Sequence, residues 1–134
     1  MIIKKIPDKE RAISIFELAK HREEYVKSTD FSKFPTGKAE NYYEIIKEFS
    51  SILLLLEGYK TTGENAHKEI FNFLLDRKTI SEEESSIIQD LRVKRNYSMY
   101  DGKQINPAYL EAREIKINKI ILKLKNLIEE KLNQ

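Results

Sequence analysis

The sequence predicts an all-α fold: an antiparallel, up-and-down four-helix bundle with an additional short helix. Three observations carry this. Apolar residues recur at spacings of three and four along nearly the whole chain. Glycine and proline number only 4 and 3, which favours long elements and few loops. Recognisable start and stop signals bracket each periodic stretch. At 134 residues the chain is expected to be a single domain over residues 1–134, long enough to bury a core without staples.

The first helix is expected from about Asp8 to Ser28, with Asp8 as its cap. Ala12, Ile15, Phe16, Ala19 and Val26 form its apolar stripe. The stretch TDFSKFPTG, Thr29 to Gly37, breaks the pattern and is expected to connect. A second helix is expected from about Lys38 to Glu57. Its Tyr42, Ile45, Ile46, Phe49, Ile52, Leu53 and Leu56 make it apolar nearly all round in the second half, which places it centrally. Gly58 can supply the left-handed residue that ends it.

A third helix is expected from about Glu64 to Arg77, capped by Thr61 or Thr62, with Ala66, Ile70, Phe73 and Leu74 inward. The fourth begins at Ser81, where Ser81 and Glu84 match a capping box and Glu82 to Glu84 suit the positive end of the helix dipole. Ile87, Ile88, Leu91 and Met99 follow, and Asp101-Gly102 stops it. The fifth runs from Pro107 to about Leu132. Asn106 is its cap, Pro107 its first residue, and Ile105 and Leu110 occupy the two staple positions. Ile117, Ile120, Ile121, Leu124, Leu127 and Ile128 form its apolar side. Met1 to Ile6 is the only stretch that reads as a candidate strand.

Composition narrows the chemistry. Without cysteine there is no disulfide, thiolate zinc site or cysteine nucleophile. Charged residues make up 34% of the chain but nearly cancel to +2, so nucleic-acid binding would need local clustering. The longest apolar run, Ile52 to Leu56, is far short of the roughly 20 residues that cross a bilayer. The N-terminus lacks the apolar stretch of a signal peptide, so a cytoplasmic protein with no membrane partner is expected. There is no phosphate-cradling glycine loop and no dinucleotide fingerprint. A di-metal bundle needs two copies of Glu-x-x-His. Only Glu64 and His67 show that spacing, so no metal and no other cofactor is expected. His67 can serve as a general acid or base, or can simply bond a neighbour. His21 sits among charged residues and reads as solvated.

Residues 92–102, RVKRNYSMYDG, concentrate what chemistry there is. From Arg92 to Lys103 there are four cations and one acid. Arg92, Arg95 and Asn96 share a helix side, and Asn96 and Tyr100 stand one turn apart. Arg95 and Tyr100 lie about 140° apart around an ideal helix. Flanking one ligand would therefore require the helix to loosen near its end, or a grip from two sides. An arginine fork holds two phosphate oxygens, and tyrosine stacks on a base or donates a hydrogen bond. The bland alternative is that cations simply favour the negative end of the helix dipole.

The order of these features resembles the HEPN family (higher eukaryotes and prokaryotes nucleotide-binding). Its members are small helical bundles with an arginine–polar–x(3–5)–histidine motif. The resemblance covers most of the chain: an amphipathic helix, an apolar helix ending in LLLLEGYKTTGENAHKEIFNFL, a helix carrying LRVKRNYSMYDGKQI, and a long last helix. Arg95 and Asn96 match the arginine and its polar neighbour, and Tyr100 stands in the histidine's slot. The resemblance implies a homodimer that brings two motifs into one groove, and metal-independent RNA cleavage of toxin or defence type. Arg95 would then stabilise phosphate charge, Asn96 would position the phosphate, and Tyr100 would assist proton transfer. Arg92, Lys94, Arg95, Tyr97 and Lys103 would bind the RNA or nucleotide. Many family members act with a nucleotidyltransferase partner. In one group that partner adds AMP to a tyrosine two residues after the motif histidine, a position that here is Gly102. A free tyrosine with a pKa near 10 is a poor base at neutral pH. The departure at Tyr100 therefore leaves two alternatives beside the ribonuclease: a non-catalytic nucleotide- or RNA-binding protein, and a structural helical dimer.

Overall fold

The computed structural model describes residues 1–134. It is mostly helical. Five helices are α1 (Lys9–Ser28), α2 (Pro35–Glu57), α3 (Ala66–Asp76), α4 (Glu82–Asp101) and α5 (Pro107–Leu132). Two short strands, β1 (Ile2–Lys4) and β2 (Tyr59–Thr61), pair antiparallel with Ile3 opposite Lys60. No helix is long and apolar enough to cross a membrane.

Helix α2 sits at the centre and packs against α1, α3, α4 and α5. Its sequence requires this, because Tyr43, Ile45, Ile46, Phe49 and Ile52 point in different directions and are all fully buried. One continuous core of 29 buried apolar residues runs through the molecule. Helix α1 buries Ala12, Phe16, Ala19 and Val26, whereas Ile15 is only half-buried. Glu23 continues that buried row because Lys125 of α5 reaches it at 2.8 Å.

The helix ends and faces follow the local chemistry, with three departures. The Asp8 carboxylate accepts from the Arg11 N–H, and the Ser81–Glu84 capping box is complete in both directions. The Asn106 side chain accepts from the Ala108 N–H, and Ile105 and Leu110 are both buried. The first departure is the start of α2 at Pro35, inside the expected connection. Proline gives up no helical hydrogen bond at N1 and its φ is already helical, so it opens the helix there. The second is α3, which starts at Ala66 with Asn65 at its cap and no side-chain bond. Thr61 cannot cap it because it lies in β2, and the Thr62 N–H donates to the Met1 carbonyl. Third, Met99 is exposed rather than part of the apolar stripe of α4.

Gly58 explains how β2 follows α2 so closely. It adopts φ +86°, and its N–H closes onto the carbonyls of Leu54 and Leu55. A Cβ there would stand 2.8 Å from the Lys5 carbonyl oxygen, so the returning N-terminal strap leaves no room for one. The Lys5 N–H in turn donates to the Gly58 carbonyl at 2.7 Å.

Candidate functional site

A polar cavity of about 290 Å3 opens between the end of α4 and the start of α3. From α4 it is lined by Arg92, Arg95, Asn96 and Tyr100. Across from them stand His67, Lys68 and the turn Gly63–Ala66. Arg92, Asn96 and Tyr100 form a one-turn-apart row, and Arg95 stands beside it. The expected loosening does not occur. α4 stays helical through Asp101, and Gly102 and Lys103 close it by donating to the Tyr97 carbonyl. A straight helix already presents all four side chains to one cavity.

Gln89 ties the two walls together. Its amide donates to the Lys68 carbonyl and to the Asn72 side chain of α3, and its oxygen accepts from Arg92 Nε at 2.8 Å. Arg92 is thereby held along the cavity rim.

Arg95 is the most constrained cation of the group, with its side chain only 12% exposed. Its Nη2 donates to Glu44 Oε1 at 2.9 Å, and its Nη1 makes a long contact of 3.4 Å to Asn96 Oδ1. The guanidinium carbon lies 5.3 Å from the centre of the Tyr43 ring. Glu44 also pairs with Lys47 at 2.9 Å. Burial opposes the charge on Glu44, but Lys47, Arg95 and Arg22 together outweigh it and hold the carboxyl below its ordinary range. The Arg95 fork is thus engaged by a carboxylate of the fold while still facing the cavity.

His67 is the site residue whose place the sequence alone left open. It is half-buried, and its Nδ1 lies 3.1 Å from the Tyr43 hydroxyl. Burial, then the positive charges of Lys47, Arg95 and Arg92, hold its pKa below 6.5, with only Glu44 opposing. The imidazole is therefore neutral at pH 7. Tyr43 is fully buried, and burial pushes its phenol far up, against the pull of Arg95 and Arg92. It therefore keeps its proton.

The other expected binding residues lie outside the cavity lining. Lys94 reaches over the Tyr109 ring of α5 at 5.3 Å. Lys103 lies 5.1 Å from the Tyr97 ring, and both side chains are exposed on the outer surface of this end. The structure thus brings together Arg92, Arg95, Asn96 and Tyr100, adds His67 and Glu44, and sets Lys94, Tyr97 and Lys103 apart. His21 is exposed. No group of three or more histidine, aspartate or glutamate side chains is placed to hold a metal.

The lining brings two guanidiniums, the Asn96 amide, a phenol and a neutral imidazole to one small space, together with Lys68 and the acidic Glu64. That set suits a phosphate or phosphodiester: the cations meet the charge, and imidazole and phenol can move protons. No family model, curated protein or solved structure matches this chain.

Proposed function

We propose that this chain is a HEPN-type protein that binds RNA in the α3–α4 cavity and cleaves it without a metal. The observation that carries the reading is His67 lining the same cavity as Arg95, Asn96 and Tyr100. An imidazole from α3 stands in for the one that the motif lacks at position 100.

In this reading His67 Nδ1–H donates to the Tyr43 hydroxyl, which leaves Nε2 as the basic nitrogen. Nε2 takes the proton of a ribose 2′-hydroxyl, and that oxygen attacks the adjacent phosphorus. Arg95 and Arg92 face the charge that builds on the phosphate oxygens, with Asn96 orienting them. Tyr100 gives its proton to the departing 5′-oxygen, and the proton that His67 took returns to Tyr100 through water, which resets both groups. The products are a 2′,3′-cyclic phosphate and a 5′-hydroxyl. The HEPN reading also carries the up-and-down bundle and a homodimer, in which a second copy would cover the exposed Tyr97, Met99 and Tyr100. A nucleotidyltransferase partner belongs to the same reading.

One observation favours a second reading, binding without cleavage. Glu44 already occupies an edge of Arg95, which lowers the positive charge available to a transition state. Incubating the purified protein with mixed RNA in EDTA separates the two. Cleavage with 2′,3′-cyclic ends, lost in His67→Ala and Arg95→Ala variants of intact fold, is the expected result. An inactive wild type that still binds RNA leaves the binding reading. Full activity in His67→Ala removes the imidazole from the mechanism.

A further inference from the structure

A second cavity, of about 280 Å3, lies on the other side of His67, between the β1–β2 strap and helices α1, α2 and α3. Its floor is aliphatic: Ile15, Leu54, Leu55 and Ile70. Its rim carries Lys5, Arg11, Lys47 and Lys60, and no carboxylate lines it. Lys47 is paired with Glu44, but Lys5, Arg11 and Lys60 make no ion pair.

We infer that this cavity binds an amphipathic anion with an aliphatic body, of the medium-chain acyl carboxylate class. Both halves of such a ligand have a counterpart in the cavity. The hydrocarbon covers the floor, and the carboxylate meets three cations that the fold leaves without partners. The two rings at the wall, Tyr59 and His67, are each already engaged within the fold, which argues against a stacked nucleobase. Tyr59 packs against Phe73 at 5.1 Å and lies under the Arg77 guanidinium at 5.1 Å, and the His67 ring lies 6.1 Å from that of Tyr43. The volume, at the low end of small-ligand cavities, favours a short chain over a long-chain lipid. Ala66 and His67 line both cavities, so a ligand here sits directly behind the imidazole of the polar one.

Titration of the purified protein with hexanoate, octanoate and decanoate tests this. With only His21 and His67 present, imidazole proton resonances locate the event. The His67 signal should move with octanoate while the His21 signal stays. Affinity should rise about fourfold for each added methylene until the cavity is full. Octanol should bind more weakly than octanoate. Charge reversal of exposed rim residues, Arg11→Glu with Lys60→Glu, should cost roughly tenfold in octanoate affinity without unfolding the chain. Ser51→Phe, which fills the cavity, should abolish binding; circular dichroism checks that the helices remain. Failure of octanoate to bind at millimolar concentration would overturn the inference. So would affinity insensitive to the charge reversal, or tighter binding of AMP in the same cavity. None of these outcomes depends on whether the α3–α4 cavity cleaves RNA.

Discussion

The two cavities that meet at Ala66 and His67 are nearly equal in volume and opposite in make-up. In the α3–α4 cavity the walls are polar and the deepest cation, Arg95, is held by Glu44. In the cavity under the strap the floor is aliphatic and three rim cations stand free. A phosphate entering the first must displace or share an existing ion pair, whereas an anion entering the second gains charge contacts without losing any. A self-neutralised site binds less tightly but discriminates by geometry, because only a ligand that matches the fork recovers what Glu44 gives up. A pre-charged site with an apolar floor selects by size and hydrophobicity.

The change expected to do most damage removes the support that both share. Phe71 is fully buried and meets Tyr43 edge to face, with ring centres 6.0 Å apart. Tyr43 in turn carries Arg95 on its face and His67 on its hydroxyl. Phe71→Ala should cost about 3–5 kcal/mol in denaturant unfolding and disturb both cavities together. Loss of one cavity with the other intact would show that they are mechanically separate.

Arg95→Ala should weaken RNA binding by roughly ten- to a hundredfold, the worth of one charge-assisted contact. Lys94→Ala, whose ammonium lies over Tyr109 outside the cavity, should change it only slightly. Equal losses from the two, measured by anisotropy at fixed salt, would reduce the binding to general electrostatics. Ser81→Ala is a control that lies outside both cavities. This cap lies at the far end of α4 from Arg95, so its loss should cost about 1 kcal/mol of stability and leave binding in both cavities unchanged.

The smallest expected effect concerns pH. The folded pKa of His67 lies below 6.5, so the unfolded chain binds its proton more readily. The stability this residue contributes is complete above about pH 6.5 and is lost as pH falls through the folded value. Replacing it with glutamine should flatten the fall of Tm on acidification from pH 7. In Arg95→Ala the imidazole should titrate higher, since one of the charges that depress it is gone. An unmoved titration would place the two side chains too far apart to interact.

Helix content and most helix ends were legible because they rest on local chemistry. Asp8, Ser81 with Glu84, and Asn106 act within three residues of themselves. Strand β2 was not legible, since three residues show no alternation and Tyr59–Thr61 is a strand only by virtue of β1 beside it. The α4 half of the site could be read from one helical row, Arg92, Asn96 and Tyr100. Glu44 and His67 could not be added to it. Glu44 is 51 residues from Arg95, and the cavity exists only once α2, α3 and α4 have packed. Lys94, Tyr97 and Lys103 share the composition of the motif but not its direction, because Tyr109 and the end of α4 hold them elsewhere.

The proposed reading has Arg95 exchange Glu44 for an incoming phosphate. Its most direct test is the affinity of a non-cleavable 2′-O-methyl oligoribonucleotide for wild type and Glu44→Gln, with Glu130→Gln supplying the same charge change at an exposed site on α5. Glu44→Gln should bind more tightly than both. Affinity equal to the Glu130→Gln control, or weaker than wild type, would contradict it.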